Sequence, residues 1–533
     1  MKSFKSLQLT EKPSIYDNKF KHSNLSQINS KVQFGQKSHQ KSLPQNLQEL
    51  TIDLKLPQAM YKRPSLVLFK RIKTLGHLNL ILRNSDKETD AFISSLRFVR
   101  IKSLDITLEH FSLFQVKNFQ NLFAILGRNV LGKISITIQY PDNCGGNMLV
   151  SFFRESVCQF TDGNFRILSR KISSLPKLNH LKLKFKSFHL INLTKKSMSY
   201  MAKLLPKLQN LMSLNLTIAF KDVDYPILNS FSNSLAKKSN LKSLKLFLLG
   251  FRKVSPDPLF NAISLLSNLR DLAIENDCGW DEPNIQELAT SCEKLSNLES
   301  FHFSYFPSEK MAFNPLFRQT LVKFTKLREL SLTLSAIGES DLFDLSHSLQ
   351  YLVNLEKLDL HFLTTAFNLK NMNRFCSSLS GLKNMKILAL KFLQCKLQEN
   401  EILFPMMNSL KSLTNLKDIT FYLLSTTETD YNQVLTQFLS RFLESLQEAK
   451  TLVNFDLKLE ETQLVNLSDY LHILFDFCKN HQELKIFKLG LLKTAIDETS
   501  KKAFQKFFQK ERPPKLDYIC LYNDRDTFSE KQD

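Results

Sequence analysis

Apolar residues recur along this chain in one short phrase, Leu-x-x-Leu-x-Leu-x-(Leu/Phe). Clear copies are Leu327-Leu330-Leu332-Leu334, Leu355-Leu358-Leu360-Phe362, Leu211-Leu214-Leu216-Ile218, Leu241-Leu244-Leu246-Leu248 and Leu416-Ile419-Phe421-Leu423. Taking the second apolar residue as an anchor gives 16 units, at Leu50, Leu78, Leu104, Ile134, Leu181, Leu214, Leu244, Leu272, Phe301, Leu330, Leu358, Leu388, Ile419, Phe455, Phe487 and Ile519. Successive anchors lie 26 to 36 residues apart, except for a step of 47 from Ile134 to Leu181 that predicts an insertion or a decayed unit near 140–170. The last three apolar positions of the phrase alternate, which is the period of a short strand with one buried face.

Between phrases the period lengthens to that of an amphipathic helix. After Gly338, Ser340 is the expected N-cap, Asp341 and Asp344 suit the positive end of the helix, and Leu342, Leu345, Leu349 and Leu352 share one apolar face. Similar helical segments are predicted around Ile227–Ala236, Phe375–Leu382, Val434–Leu446 and Leu464–Phe477. One strand and one helix per unit of about 30 residues is a right-handed coil of parallel strands, each burying its apolar face only against its neighbours.

With these residues in place the chain resembles the leucine-rich-repeat superfamily, in its ribonuclease-inhibitor-like class, over residues 46–523. The copy most similar to that pattern is LRELSLTLSAIGESDLFDLSHSL, Leu327 to Leu349, with Ile337 and Gly338 before the helix. The resemblance implies an α/β solenoid, a horseshoe with a parallel sheet on the concave side and helices on the convex side. It is specific for the fold and silent on the ligand. One departure stands out. Where the family places Asn or Cys, eight residues after the first Leu, this chain has Ser335, Ala219, Leu249, Leu363, Leu393 and Leu424. The turn backbone must be satisfied another way, for instance by a longer strand.

Composition sharpens this picture. With 43% hydrophobic residues and 44 Phe there is material for a continuous core, while 12 Gly and 16 Pro are too few for a turn-rich all-β fold. The net charge of +21 is unevenly spread. Residues 163–220 hold 11 Lys and Arg and no acid, and the stretch 163–255 carries 18 basic residues against Asp222 and Asp224. Residues 1–45, with eight Lys against Glu11 and Asp17, read as a flexible basic tail, and residues 524–533 as a polar tail. Concentrated positive charge attracts phosphate backbones. The candidate polyanion-binding residues are Arg166, Arg170, Lys171, Lys177, Lys182, Lys184, Lys186, Lys195, Lys196, Lys237, Lys238 and Lys242; the competing reading is a solvated helix face.

On the outward face of the strands the chemistry is mixed, as in Asp271, Ala273 and Glu275, in Lys357, Asp359 and His361, or in Asp418, Thr420 and Tyr422. Such a mosaic suits a protein partner, and the candidate protein-binding residues are Phe247, Lys357, Asp359, His361, Tyr422 and Tyr518. For the aromatic residues the competing reading is lateral packing within the array.

The eight cysteines have no CxxC or His/Cys spacing of a zinc site and read as reduced thiols. No phosphate-loop, dinucleotide, metalloprotease, nucleophile-elbow or kinase motif occurs, and Trp280 reads as a packing residue. The N-terminal sequence lacks the apolar stretch of a signal peptide, its want of Arg disfavours a mitochondrial presequence, and no transmembrane segment is readable. The expectation is an intracellular, cytoplasmic or nuclear, non-enzymatic scaffold for a protein partner, with no cofactor, metal or small-molecule substrate inferred. The alternative is an RNA- or DNA-associated subunit of a ribonucleoprotein or chromatin complex, binding through 163–255.

Overall fold

A strand with one apolar face cannot hide that face alone, so its stability depends on a neighbour of the same pattern in the same register. The computed structural model describes residues 7–10, 30–31, 46–54, 74–82, 99–109, 132–139, 160–185, 191–249, 254–276, 282–305, 316–397, 402–424, 432–460, 471–491, 498–510, 514–522 and 527–531. They fall in two compact units, Met1–Asn268 and Leu269–Asp533.

In the first unit the strands Asn46–Leu54, Thr74–Leu82, Arg100–Glu109, Lys133–Gln139, His180–Phe185, Ser213–Ala219 and Ser243–Leu249 form a parallel sheet. Their pairing sets Leu50, Leu78, Leu104, Ile134, Leu181, Leu214 and Leu244 side by side, so every predicted anchor of this unit is in register. Ile134 pairs directly with Leu181, which excludes a decayed unit between them. The extra length lies in the connection, whose described part is the strand Phe160–Thr161 and the helix Asp162–Ile172. In the region read as a basic tail, Leu7–Thr10 pairs in parallel with Asn46–Leu54 and with Ser30–Lys31; the rest of 1–45 lies outside the described residues.

In the second unit the parallel strands are Asp271–Asn276, Ser300–Tyr305, Glu329–Ser335, Lys357–Leu363, Ile387–Leu393, Asp418–Leu424, Asn454–Glu460, Ile486–Leu491 and Tyr518–Tyr522. Leu272, Phe301, Leu330, Leu358, Leu388, Ile419, Phe455, Phe487 and Ile519 are again in register. The segment read as a polar C-terminal tail contributes Thr527–Lys531, an antiparallel strand on Tyr518–Tyr522.

Helices connect the strands within each unit, for example Lys195–Leu204 and Tyr225–Ala236 in the first and Glu339–Leu349, Leu369–Ser380 and Leu471–Asn480 in the second. Both strands and helices contribute to the core: Leu342, Leu345, Leu349 and Leu352 are buried as the helical period requires, as are strand residues such as Leu330 and Leu332. In the second unit large side chains continue from repeat to repeat, with Phe362 stacked on Phe392 at 5.5 Å and Phe455 on Phe487 at 5.0 Å between ring centroids. The N-cap of the helix Glu339–Leu349 is Gly338 and not Ser340. Extended Gly338 presents its N–H to the carboxylate of Asp341 at 3.0 Å, leaving Ser340 exposed in the first turn.

Two devices replace the family's turn asparagine. The strands Glu329–Ser335, Lys357–Leu363, Ile387–Leu393 and Asp418–Leu424 run through that position, as the longer-strand expectation requires. The chain then turns through left-handed Ala336, Thr364 and Gln394, at φ 53°, 50° and 54°. Their N–H groups donate to the carbonyls of Leu363, Leu393 and Leu424 in the following repeat, at 2.8, 2.9 and 2.8 Å.

At the other end of the strands a different asparagine ladder appears, one residue before the first apolar residue of the phrase. In the first unit Asn210 donates to the Pro176 carbonyl at 2.8 Å and Asn268 to Ser239 at 2.9 Å. In the second, Asn354, Asn384 and Asn415 donate to the carbonyls of Thr325, Val353 and Lys383 at 2.9, 3.0 and 2.9 Å. Each bond ties one turn to the equivalent turn of the preceding repeat.

Two outcomes follow for stability. Leu330→Asp places an unpaired charge at a fully buried rung and is expected to cost several kcal/mol; circular dichroism with limited proteolysis should show local unfolding, and an unchanged soluble protein would refute the register. Asn384→Ala removes one inter-repeat bond and should lower stability by about 1 kcal/mol in urea titration, with the circular dichroism spectrum intact.

Candidate binding surfaces

Residues that alternate with the buried rungs carry no packing duty towards the core, so the strand face is where side-chain chemistry is free to vary. In the first unit the pairing aligns three rows across four adjacent strands. Lys133, His180, Ser213 and Ser243 form one, Ser135, Lys182, Asn215 and Lys245 the second, and Thr137, Lys184, Thr217 and Phe247 the third. These four strands contain no Asp or Glu. Lys133, Lys182 and Lys245 are exposed, Lys184 and Phe247 half-buried. Burial and then the charge of Lys133 push the pKa of His180 down, so the positive charge of these rows rests on the lysines.

The predicted basic set is divided by the fold. Lys182 and Lys184 lie on the strand face; Arg166, Arg170 and Lys171 on the helix Asp162–Ile172; Lys195 and Lys196 at the start of the helix Lys195–Leu204. Lys237 follows the helix Tyr225–Ala236, while Lys177 and Lys242 sit in turns ahead of strands. On the helix side Lys195 is compensated by Asp224 at 2.9 Å, while Asp162 accepts from the hydroxyls of Thr194 and Ser197 at 2.7 and 2.5 Å. Lys238 does not belong in the set. It is buried, and its ammonium donates to the Leu208 carbonyl at 3.0 Å, so it closes a turn of the preceding repeat. Lys186 lies outside the described residues.

In the second unit the strand face is a mosaic. Asp359 and His361 share a strand and meet at 2.8 Å, and Lys391 of the next strand lies 2.6 Å from the same His361 Nε2. Nε2 serves one of them at a time: protonated, it donates to Asp359, and unprotonated, it accepts from Lys391. Burial alone would raise the Asp359 carboxyl, but the hydrogen bond and charge of His361, with Lys391 and Lys357, hold it below its ordinary value. Two strands further, Lys458 donates to the Tyr422 hydroxyl at 2.6 Å, its Nζ 4.4 Å from the ring centroid. Beside them Asp456 has a buried Oδ1 with no hydrogen-bond partner, and burial pushes its carboxyl above the usual value against the pull of Lys488, Lys458 and Lys391.

Of the predicted protein-binding residues, Lys357, Asp359, His361 and Tyr422 therefore belong to one contiguous surface. Tyr518 lies on the strand Tyr518–Tyr522, and Phe247 is in the first unit. Sequence reasoning missed Lys391, Asp456 and Lys458. They occupy the same outward positions of their phrases, and lateral register is the signal that finds them. A recess of about 400 Å³ at the strand-start edge is lined by Glu299, Lys326, Arg328, Asn354, Glu356, Asn384 and Lys386. Its charges are largely matched internally, Glu356 pairing with Lys386 at 2.6 Å and with Arg328 at 3.7 Å.

Buried Cys292, Cys376 and Cys395 are free thiols whose pKa burial pushes up to about 12, so they are inert packing groups. Trp280 lies outside the described residues. Among those residues no helix is long and apolar enough to cross a membrane.

No protein-family model matches the chain, and no curated protein matches it. Among solved structures it is similar to internalin C2 of Listeria monocytogenes, with 17% identity over 49% of this chain and 84% of that one, at a TM-score of 0.27. It is also similar to a structure of the TLR13–ssRNA13 complex, with 12% identity over 90% of this chain and 72% of that one, at a TM-score of 0.29. The fold is a leucine-rich-repeat solenoid. It is the strand register that establishes this, and the two likenesses add nothing about function.

Asp456 makes a pH-dependent prediction. A carboxyl raised in the folded state penalises folding once it is ionised, that is, above its folded pKa, and the penalty fades as pH falls towards the unfolded value. Asp456→Asn should therefore show a higher Tm than the parent at pH 7, and the difference should shrink in scans at progressively lower pH. A difference independent of pH would show that the carboxylate carries no such penalty.

Proposed function

We propose that the chain is a non-enzymatic interaction scaffold that holds a protein partner on the strand face of its second unit. The observation that carries this reading is the cluster of Asp359, His361, Lys391, Tyr422, Asp456 and Lys458, charges of both signs around a half-exposed tyrosine on adjacent strands. A surface of this kind selects by pattern: each ion pair must be matched or displaced by a complementary group, and an aromatic ring supplies contact area at little entropic cost. The half-buried side chains are held in place by one another, which lowers the ordering cost of association. One helix between strands in most described repeats supports the ribonuclease-inhibitor-like class. Reduced, buried cysteines fit a cytoplasmic or nuclear protein. Neither a cofactor nor a small-molecule substrate enters the proposal.

The test is affinity purification of the tagged chain from its own cells, with and without nuclease, comparing the parent with Tyr422→Ala/Lys391→Glu and with Lys326→Glu at the recess. A protein partner that survives nuclease, binds the double variant at least about 10-fold more weakly and retains Lys326→Glu is the expected result. Capture that is lost with nuclease, or that the double variant leaves unchanged, overturns the reading.

A further inference from the structure

The first unit carries a second surface of different character. Across the strands Lys133–Gln139, His180–Phe185, Ser213–Ala219 and Ser243–Leu249 the outward rows hold lysines, hydroxyls, one amide and Phe247, and no carboxylate. A protein partner of ordinary mixed surface finds on these four strands no carboxylate for its own cations. A polymer whose charge has one sign and repeats finds a donor on strand after strand. Lys182 and Lys245 occupy the same row two strands apart, about 10 Å along the sheet. Between and beside them half-buried Asn215 and Thr217 supply neutral donors of the kind that contact phosphate oxygens. Phe247, in register with Thr217, puts an aromatic ring at the border of the lysine rows. Cationic groups that follow a backbone, beside a ring on which a base can stack, are the two components of single-strand recognition. Lysine in place of arginine fits charge contact without base readout.

We infer that this four-strand face, centred on Lys133, Lys182, Lys184 and Lys245 with Phe247 at its edge, binds single-stranded nucleic acid through its phosphate backbone. The site does not depend on the protein-binding surface of the second unit. It also differs from the basic tract as read along the sequence. Helix-side Arg166, Arg170, Lys195 and Lys196 are outside it, while Lys133, which lies before that tract, is inside.

The experiment is fluorescence anisotropy of the full chain with a labelled oligouridylate of about 20 nucleotides, longer than common single-strand site sizes. Polyglutamate and phosphatidylserine-containing vesicles serve as competitors. The variants are Lys182→Glu/Lys245→Glu, its milder form Lys182→Gln/Lys245→Gln, Phe247→Ala, and the helix-side control Arg166→Glu/Arg170→Glu, each checked for an unchanged circular dichroism spectrum and Tm. Four phosphate contacts predict that log K falls with log salt at a slope of about −3. The charge reversal should weaken binding at least about 10-fold, the glutamine form less, and Phe247→Ala about 5-fold or more. The helix-side control should stay within about 2-fold. Absence of binding by the parent, equal losses from the strand-face and helix-side reversals, or competition by polyglutamate or vesicles as strong as by unlabelled oligouridylate would each overturn the assignment. Should the reversal disturb folding, the glutamine form and Phe247→Ala decide between the same outcomes.

Discussion

Every other feature of this chain depends on one constraint: an apolar rung on one strand is buried only when the strands beside it present a rung at the same height. Leu330 between Phe301 and Leu358, or Leu214 between Leu181 and Leu244, shows the constraint met within each unit. Burying a leucine contributes roughly 1.5–3 kcal/mol, and a slip of one residue would move a whole strand's set of rungs to the water side. Register is therefore the most strongly determined quantity in the fold. Loops, caps and surface chemistry vary around it.

This is also why the rungs were legible in the sequence and other features were not. The anchors could be found from Leu50 to Ile519 because hydrophobic alternation states the register directly. The long step from Ile134 to Leu181 was ambiguous because length alone does not distinguish a lost strand from a long connection; only the direct pairing of those strands does. The cap at Gly338 was misplaced by two residues because Ser340 has the favoured side chain, whereas the backbone turns extended earlier and Asp341 reaches back from within the first turn. At the family's asparagine position after the strand, Leu363 and Leu393 simply prolong the strand. The ladder is formed instead by Asn354, Asn384 and Asn415, each directly before the first apolar residue of a phrase.

The candidate surfaces were less legible, for a physical reason. A binding face on a parallel sheet is assembled across strands, so its members are about 30 residues apart in sequence and share only a position in the repeat. Asp359, His361 and Lys357 could be grouped because they alternate on one strand. Lys391, Asp456 and Lys458 could not be joined to them without the lateral pairing, although the phrase already fixed which way their side chains point relative to the rungs.

Charge summed along the chain misleads for the same reason. The excess in 163–255 suggested one basic site, but strand and helix alternate within that stretch, and their side chains emerge on opposite sides of the core. On the helix side, Asp162 and Asp224 hold helix starts and Asp224 also pairs with Lys195, so part of the excess is neutralised where it lies. Lys238 is not on the surface at all: a long aliphatic stem lets it cross the turn and satisfy a carbonyl of the preceding repeat. The lysines on the sheet are a smaller group, on strands with no acid of their own, and the group includes Lys133 from outside the stretch. In a repeat fold the relevant charge density is counted across rungs, and by that count the four strands from Lys133 to Leu249 form an acid-free face bordered by Asp105, while the second unit presents a mixed one.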